Sequence, residues 1–127
     1  MSPARMDRLE TAMRTILEYK ECFNRHDVTA MMQLVNDECI LETASPTPYG
    51  TRISGKDAIS QFYQDFFLST PDIHLEIEEV YSIGYRCVMR WKSSWVDASG
   101  ISHHQRGVDL FDIKSISIVE ILTYIKG

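Results

Sequence analysis

The sequence has no apolar run that approaches the ~20 residues needed to cross a membrane. Its first seven residues, 1–7, also lack the apolar core of a signal peptide. We therefore expect a soluble, cytoplasmic protein. Its 127 residues, 44% of them hydrophobic and 24% charged, match the size and composition of one globular unit with a single core. We predict one domain over residues 1–127.

The sequence also lacks a positively charged patch. It has 13 Lys and Arg residues against 18 Asp and Glu residues, which gives a formal net charge of -5. Proteins that bind nucleic acids or anionic membranes usually concentrate Lys and Arg on one face, where these residues neutralise phosphate groups. We therefore expect neither nucleic acid nor a membrane as a partner.

Cysteine is scarce and does not occur in pairs. Cys22, Cys39 and Cys87 are far apart, and no Cys-x-x-Cys is present. This usage favours buried small hydrophobic residues over a disulfide or metal ligands. The sequence likewise has no nucleophile elbow, no glycine-rich phosphate loop and no zinc signature. We predict no metal and no cofactor, so any chemistry would be acid/base work on a small apolar molecule.

Apolar residues that recur at three- and four-residue steps predict three helices in the first part of the chain. The first covers about 6–25, and Asp27 can cap a short second helix. The third begins at a variant capping box in 54–57 and ends at 69–71. The predicted apolar stripe of the first helix is Met6, Leu9, Met13, Ile16, Leu17, Lys20 and Phe23, and Tyr19 lies on the same stripe. The predicted stripe of the third helix is Ile59, Phe62, Tyr63, Phe66 and Phe67.

The remaining segments predict strands. A first strand at 39–43 precedes a loop at 44–50, where two prolines and a glycine exclude a helix or a ladder. After Pro71 the apolar period changes to two, which is typical of strands. Four such strands, around 73–78, 89–95, 101–113 and 116–125, form a predicted antiparallel meander. The fold class is therefore α+β, with helices over one face of a curved sheet and a pocket between them.

Asp109 lies between apolar neighbours in the middle of a predicted strand, 106–113. Val108 and Leu110 make one strand face apolar and Phe111 the other, so alternation alone leaves Asp109 either in solvent or in an apolar cavity. In a cavity, desolvation raises the pKa of a carboxyl group and leaves a proton donor near neutral pH. An inward Asp109 would also turn Val108 and Leu110 outward, which favours a homodimer.

Several short motifs occur in a fixed order along almost the whole chain. They are Asn24-Arg25-His26-Asp27, Ile53-Ser54-Gly55-Lys56-Asp57-Ala58-Ile59, Pro71-Asp72-Ile73-His74-Leu75-Glu76, Val88-Met89-Arg90-Trp91 and Gly107-Val108-Asp109-Leu110-Phe111. In this order they resemble the NTF2-like superfamily and, within it, SnoaL-like polyketide cyclases and ketosteroid-isomerase-like proteins. The resemblance implies an NTF2-like (cystatin-like) cone, in which three N-terminal helices wrap a curved antiparallel sheet. It also implies a pocket and a homodimer, but not one activity.

The resemblance also implies particular catalytic residues. Steroid isomerases place a tyrosine five residues before an Asn on helix one and a protonated Asp on the penultimate strand, and Tyr19 and Asp109 match these positions. Such a pair can stabilise an enolate. The Asp position also resembles the acid/base of aldol-type cyclases. The isomerase's general base is replaced by Thr43, which cannot abstract a carbon-bound proton, so true ketosteroid isomerase activity is not expected.

Further residues are predicted to bind a small hydrophobic molecule in the same pocket. They are Trp91, Trp95, Phe62, Phe66, Thr43, His103 and Gln105. Alternatives remain open at this point, because Tyr19 and the two tryptophans could simply fill the core and His103 could lie at the surface. Two functions are compatible with the sequence. One is acid/base cyclase or isomerase chemistry on a polyketide-like or cyclic carbonyl compound, and the other is a non-catalytic dimeric binding module for a small hydrophobic ligand.

Overall fold

A computed structural model describes residues 2–126, and every side chain in that range except those of residues 5–9. The elements are α1 (Pro3–Asn24), α2 (Val28–Met32), β1 (Val35–Glu42), β2 (Arg52–Ser54), α3 (Lys56–Ser69), β3 (His74–Ile83), β4 (Arg86–Val96), β5 (Ser102–Lys114) and β6 (Ser117–Ile125). The predicted α+β class is confirmed. Among the described residues, none of the helices combines the length and apolar character that a membrane crossing requires.

The strands form one six-stranded sheet in the order β2-β1-β6-β5-β4-β3. Strands β3 to β6 are the predicted antiparallel meander. Two features were not predicted. β1 pairs with β6 in parallel, and the short β2 adds an antiparallel edge strand to β1. β1 also begins at Val35, earlier than the predicted residue 39. Its residues 36–38 are exposed and polar, so the sequence shows no apolar alternation there that would indicate a strand.

The two later helices begin in different ways. Asp27 caps α2 as predicted, since its Oδ1 accepts a hydrogen bond from the backbone N–H of Ala30 at 3.1 Å. The predicted capping box of α3 is wrong. Ser54 is the last residue of β2, and Gly55 takes the cap position with a φ of 93° and no side-chain bond. Glycine tolerates this left-handed backbone, which directs the chain from the sheet edge into the helix.

The core lies between α1, α3 and the concave face of the sheet. The predicted stripe of α1 is partly wrong: Leu17 is 39% exposed, while Ile16, Tyr19 and Lys20 are buried. The side chains of Met6 and Leu9 lie outside the described residues. On α3 the prediction also needs correction, because Ile59, Tyr63 and Phe67 are buried but Phe62 and Phe66 are only half-buried.

All three cysteines are buried thiols, as predicted. Burial raises the pKa of each, and that of Cys39 rises from 9.0 to about 11. Thiols of this kind carry little thiolate near neutral pH and are poor nucleophiles. They are therefore packing residues rather than candidates for the functional site.

Candidate functional site

A cavity of about 620 Å³ opens between the helices and the concave face of the sheet. Small-molecule sites usually need roughly 300 Å³ or more, so this space can hold a compact organic molecule. Six of the seven residues predicted to bind a ligand line it: Trp91, Trp95, Phe62, Phe66, Thr43 and Gln105. Aromatic rings thus form much of the wall.

Asp109 faces this cavity. It is 2% exposed and lies on β5 between Met89 of β4 and Thr123 of β6. Burial along β5 alternates here, since Asp109 and Phe111 are buried while Val108 and Leu110 are half-buried on the other face. The inward orientation, which the sequence alone left open, is confirmed.

Asp109 has a charged neighbour, Lys20, that the sequence analysis did not predict. The Lys20 Nζ lies 2.5 Å from Asp109 Oδ2, and both side chains are almost completely buried. The same ammonium group lies 5.5 to 5.8 Å from the ring centroids of Tyr19, Phe23 and Phe111, within the range of cation–π attraction. Asp109 is therefore one half of a buried ion pair and not an isolated carboxyl group.

Two residues that line the cavity each have one buried polar atom without a hydrogen-bond partner among the described residues. The atoms are Asp109 Oδ1, which can only accept a hydrogen bond when ionised, and Trp91 Nε1, which can only donate one. Buried polar groups are nearly always paired in native proteins. These two atoms are exceptions to that rule, because each is closed to solvent and has no partner among the described residues.

Tyr19, the second predicted catalytic residue, does not line the cavity. Its hydroxyl donates to the Tyr63 hydroxyl at 3.1 Å, and its ring packs edge-on against Tyr63 and Phe111. Burial raises the pKa of Tyr19 well above its ordinary value of 10.0. The tyrosine that lines the cavity is Tyr63, whose hydroxyl accepts the hydrogen bond from Tyr19. Direct contact between Tyr19 and a ligand is not supported.

Thr43 lines the cavity, but its hydroxyl group is already engaged. It donates to the backbone carbonyl of Ser45 at 2.9 Å and accepts from the backbone N–H of Thr51 at 3.1 Å. Glu42 points to the opposite face, where it lies 3.8 Å from Arg52. The first strand thus brings no carboxylate into the cavity, in agreement with the prediction that this position holds no general base.

His103 is the one predicted binding residue that does not line the cavity, and its contact with a ligand stays a prediction. Its ring stacks on Trp95 at a centroid distance of 5.2 Å, and its Nε2 lies 2.8 Å from Asp97 Oδ2. Trp95 does line the cavity. The histidine therefore supports one aromatic wall of the cavity from outside, held by an aspartate in the turn before β5.

The pair formed by Asp97 and His103 predicts a measurable titration. The hydrogen bond from His103 and then that from the Ile101 N–H hold the pKa of Asp97 below its ordinary 3.8. Because the pKa is lower in the folded than in the unfolded chain, the pair stabilises the fold above pH ~3.9, and this contribution disappears as the pH falls through the folded-state pKa. An NMR titration should give a low midpoint for Asp97 that rises in His103→Phe. An unchanged midpoint would contradict the pairing.

An α+β cone with an apolar internal cavity and a buried carboxylate defines the class of protein to which this chain belongs. Residues 16–121 match the model of the SnoaL-like domain. The chain therefore belongs to the SnoaL-like domain family, within the NTF2-like fold. No match was found among proteins of curated function.

Solved structures agree with this assignment. An NTF2-like protein of unknown function from Mesorhizobium loti is 31% identical, with 94% of each chain covered and a TM-score of 0.80. A protein described as a SnoaL-like polyketide cyclase from a Jannaschia species is 15% identical, with 99% of this chain and 90% of the other covered and a TM-score of 0.79. TerC, co-crystallised with polyporic acid, is 12% identical, with 91% and 92% covered and a TM-score of 0.80. The last two comparisons show a shared fold.

Proposed function

We propose that the protein binds a small polyketide-like or cyclic carbonyl compound in the cavity and carries out acid/base chemistry beside its carbonyl group, without a cofactor. One observation carries this proposal. Asp109 lines an apolar cavity, with Oδ2 held by Lys20 and Oδ1 without a partner among the described residues. A carboxylate held in this way has one oxygen that no described protein group engages.

The mechanism divides the work between the two members of the ion pair. Asp109 Oδ1 takes a proton from the carbon next to the carbonyl group, and the bonding electrons move to the carbonyl oxygen. The Lys20 ammonium group, 2.5 Å from Oδ2, provides positive charge near the enolate that forms. Among the mostly apolar side chains of the cavity such charge stabilisation is stronger than in bulk water. Return of the proton from Asp109 to another carbon completes an isomerisation. Attack of the enolate carbon on a second carbonyl group forms an alkoxide, and return of the proton from Asp109 to that alkoxide completes a cyclisation.

The comparisons support the chemistry only by analogy. The Jannaschia relative is described as a polyketide cyclase, and TerC was crystallised with a small organic molecule. Both share the fold that places an internal cavity between helices and sheet. The proposal for this chain depends on Asp109 and Lys20.

Exchange of carbon-bound protons tests the proposal directly. With 2-tetralone in deuterated buffer, the wild-type protein should speed the loss of the acidic proton NMR signals next to the carbonyl group. Asp109→Asn should slow this exchange by ~10²-fold or more, the usual effect of removing an acid/base group. The matched control is Asp112→Asn, on the same strand but half-buried on its other face, which should exchange at the wild-type rate.

Two results would contradict catalysis. One is a wild-type rate equal to that of buffer alone, and the other is an unchanged rate in an Asp109→Asn protein that near-UV circular dichroism shows to be folded. Binding of 2-tetralone without exchange would instead favour the second candidate function, a non-catalytic binding module. The engaged hydroxyl of Thr43, in the position of the isomerase base, favours that candidate.

We also propose a homodimer through the outer face of the sheet. A row of apolar residues crosses four adjacent strands there, formed by Tyr81, Val88, Leu110 and Leu122. The Arg86–Glu120 ion pair, at 3.0 Å, flanks this row with both signs of charge. A two-fold dimer needs a face that complements itself, and an apolar row flanked by both charges meets that condition.

Light scattering tests the dimer. At micromolar concentration the wild-type protein should have about twice the 14.7 kDa mass of one chain, and Leu110→Arg should return it to one chain because it buries a charge in the interface. Lys114→Glu, at the exposed end of β5, should leave the mass unchanged. A wild-type mass near 14.7 kDa would contradict the proposal.

A further inference from the structure

We infer that the protein has a second binding site, on the outer face of the sheet, for a small polyanion with two or more neighbouring phosphate or carboxylate groups. A cleft of about 610 Å³ opens on that face. Arg106, which lines the cleft, lies three residues before Asp109 on β5, so the two side chains are on opposite faces. We define the outer-face site by six lining residues that all carry side-chain donors: His74, Lys92, Ser94, His104, Arg106 and Lys126.

Strand register places five of these residues in two rows. His74, Ser94 and His104 lie opposite one another on β3, β4 and β5, and Lys92 lies opposite Arg106 in the next row. Paired residues share a face of the sheet, and so do residues two apart along a strand. Because neighbouring strands are about 4.8 Å apart, the backbones of the two histidines are ~10 Å apart. The space above Ser94 is therefore bordered by an imidazole on each side.

Cations outnumber carboxylates in the outer-face site. Lys92, Arg106 and Lys126 line it against one carboxylate, that of Glu76. The chain as a whole has a net charge of -5, and the sequence analysis predicted no positively charged patch. The register of the strands nevertheless concentrates cations from distant positions in one cleft. A cleft lined by one sign of charge attracts ligands of the opposite sign, so this site favours an anion.

Four donor side chains of the site are not engaged by the protein. The side chains of His74, Ser94, His104 and Lys126 make no hydrogen bond or ion pair with the residues that the structure describes. A lysine offers three N–H donors and an imidazole at least one. The backbone N–H of Lys126 donates to the carbonyl of Arg106 at 2.9 Å, which holds this lysine beside β5. An oxyanion with several charges can accept hydrogen bonds from more than one of these groups.

The other two cations are held in position by carboxylates. Lys92 Nζ lies 3.5 Å from Glu76 Oε2, and Arg106 Nε lies 3.4 Å from Glu78 Oε1. Such exposed pairs contribute little to stability. They do limit the freedom of the two side chains, which a ligand would otherwise have to restrict when it binds. The cations of the outer-face site are therefore partly pre-organised.

The surroundings of the site favour a compact ligand over nucleic acid. Glu76, Glu78 and Glu79 follow one another along β3, so an extended polyanion that crossed the sheet would meet three carboxylates. The part of the chain that the structure describes has no group of side chains able to hold a metal ion. The apolar row proposed for the dimer lies four residues further along β4 and β5, ~13 Å away, and does not include this site.

Proton NMR tests the inference, because the chain has only four histidines and two of them belong to the site. On addition of pyrophosphate to the wild-type protein at constant ionic strength, the imidazole signals of His74 and His104 should shift and saturate, with a Kd of about 1 mM or below. His26 and His103 are internal controls, since the protein engages both rings. Citrate distinguishes clustered carboxylates from phosphates, and acetate, with one charge, should bind more weakly than the tighter of the two.

Charge variants should act in opposite directions. Lys126→Gln should weaken the binding of the tighter polyanion by about fivefold, because it removes a charge-assisted donor. Glu76→Gln should strengthen it by a similar factor, because it removes the carboxylate that lines the site. The matched control is Lys114→Gln at the exposed end of β5, which changes the net charge equally and should leave the affinity unchanged. His74→Gln and His104→Gln assign the two signals.

Three results would overturn the inference. They are shifts of all four histidine signals without saturation, equal weakening by Lys114→Gln and Lys126→Gln, and binding of acetate as tight as that of both polyanions. Each would mean that ions only screen the surface. Saturable binding on which Lys126→Gln and Glu76→Gln act oppositely would support the site. Proton exchange with 2-tetralone is a separate readout, and Lys126→Gln should leave it at the wild-type rate.

Discussion

Lys20→Met should lower the free energy of unfolding by about 3–5 kcal/mol at neutral pH, the usual effect of removing one partner of a buried ion pair. Methionine keeps most of the length and apolar stem of lysine, so lost packing contributes little. The loss arises because the Asp109 carboxylate stays buried without its counter-charge, and its Oδ1 already has no partner among the described residues. Urea denaturation of the wild type and the variant measures the difference.

A double variant separates charge from packing. Lys20→Met combined with Asp109→Leu removes both charges, and it should recover most of the stability lost in Lys20→Met, because an apolar pair can replace a buried ion pair. The matched control is Arg14→Met on the same helix. Arg14 forms an exposed ion pair with Glu10, four residues before it. It should change stability by less than ~0.5 kcal/mol. A loss below ~1 kcal/mol in Lys20→Met would mean that the pair is solvated.

This ion pair marks the limit of what the sequence could predict. Lys20 stood on the apolar stripe of α1, and a lysine in such a position signals a buried amine that needs a partner. Its partner Asp109 lies 89 residues away on another element. Periodicity within α1 and alternation within β5 describe each side chain relative to its own element only. They contain no information about which stripe meets which strand face.

The two tyrosines differ for a similar reason. Tyr19 and Tyr63 both lie on apolar stripes, and the resemblance to steroid isomerases indicated Tyr19 as the donor to a ligand. The rotation of α1 about its axis decides the outcome. Leu17 is exposed and Lys20 occupies the cavity side, so Tyr19 donates to Tyr63 instead. The rotation of a helix about its axis depends on how it packs against its neighbours, and the spacing of apolar residues along one helix does not determine it.

The sheet was easier to predict than its edge. The meander of β3 to β6 follows from clear alternation and from turns at their expected places. The parallel contact between β1 and β6 joins distant parts of the chain, and β2 has only three residues. A strand that short carries almost no alternation. The aromatic wall of the cavity, by contrast, was predicted because aromatic residues cluster on α3 and at alternate positions of β4.

Helix α3 supplies the second large effect. Phe67→Ala should lower the free energy of unfolding by ~3–5 kcal/mol, the usual range for a large aromatic residue in a core. Phe67 is 8% exposed, its ring lies 5.1 Å from that of Phe23, and it stacks on His26 at 4.3 Å. Truncation would leave a void beside both of these rings. Denaturant unfolding monitored by fluorescence measures the change.

Phe62→Ala is the matched control for Phe67→Ala, because it makes the same truncation on the same helix. Phe62 is only half-buried and lines the cavity, so its removal enlarges an existing space instead of creating a new one. We expect it to destabilise the fold by at least ~1 kcal/mol less than Phe67→Ala does, since the measured loss depends on the void left in a packed core. Phe62→Ala should also weaken the binding of 2-tetralone, which Phe67→Ala should affect less in protein that remains folded. The opposite order of stabilities would mean that α3 presents Phe67 to the cavity and Phe62 to the core, and the ring wall proposed for the ligand would then be incorrect.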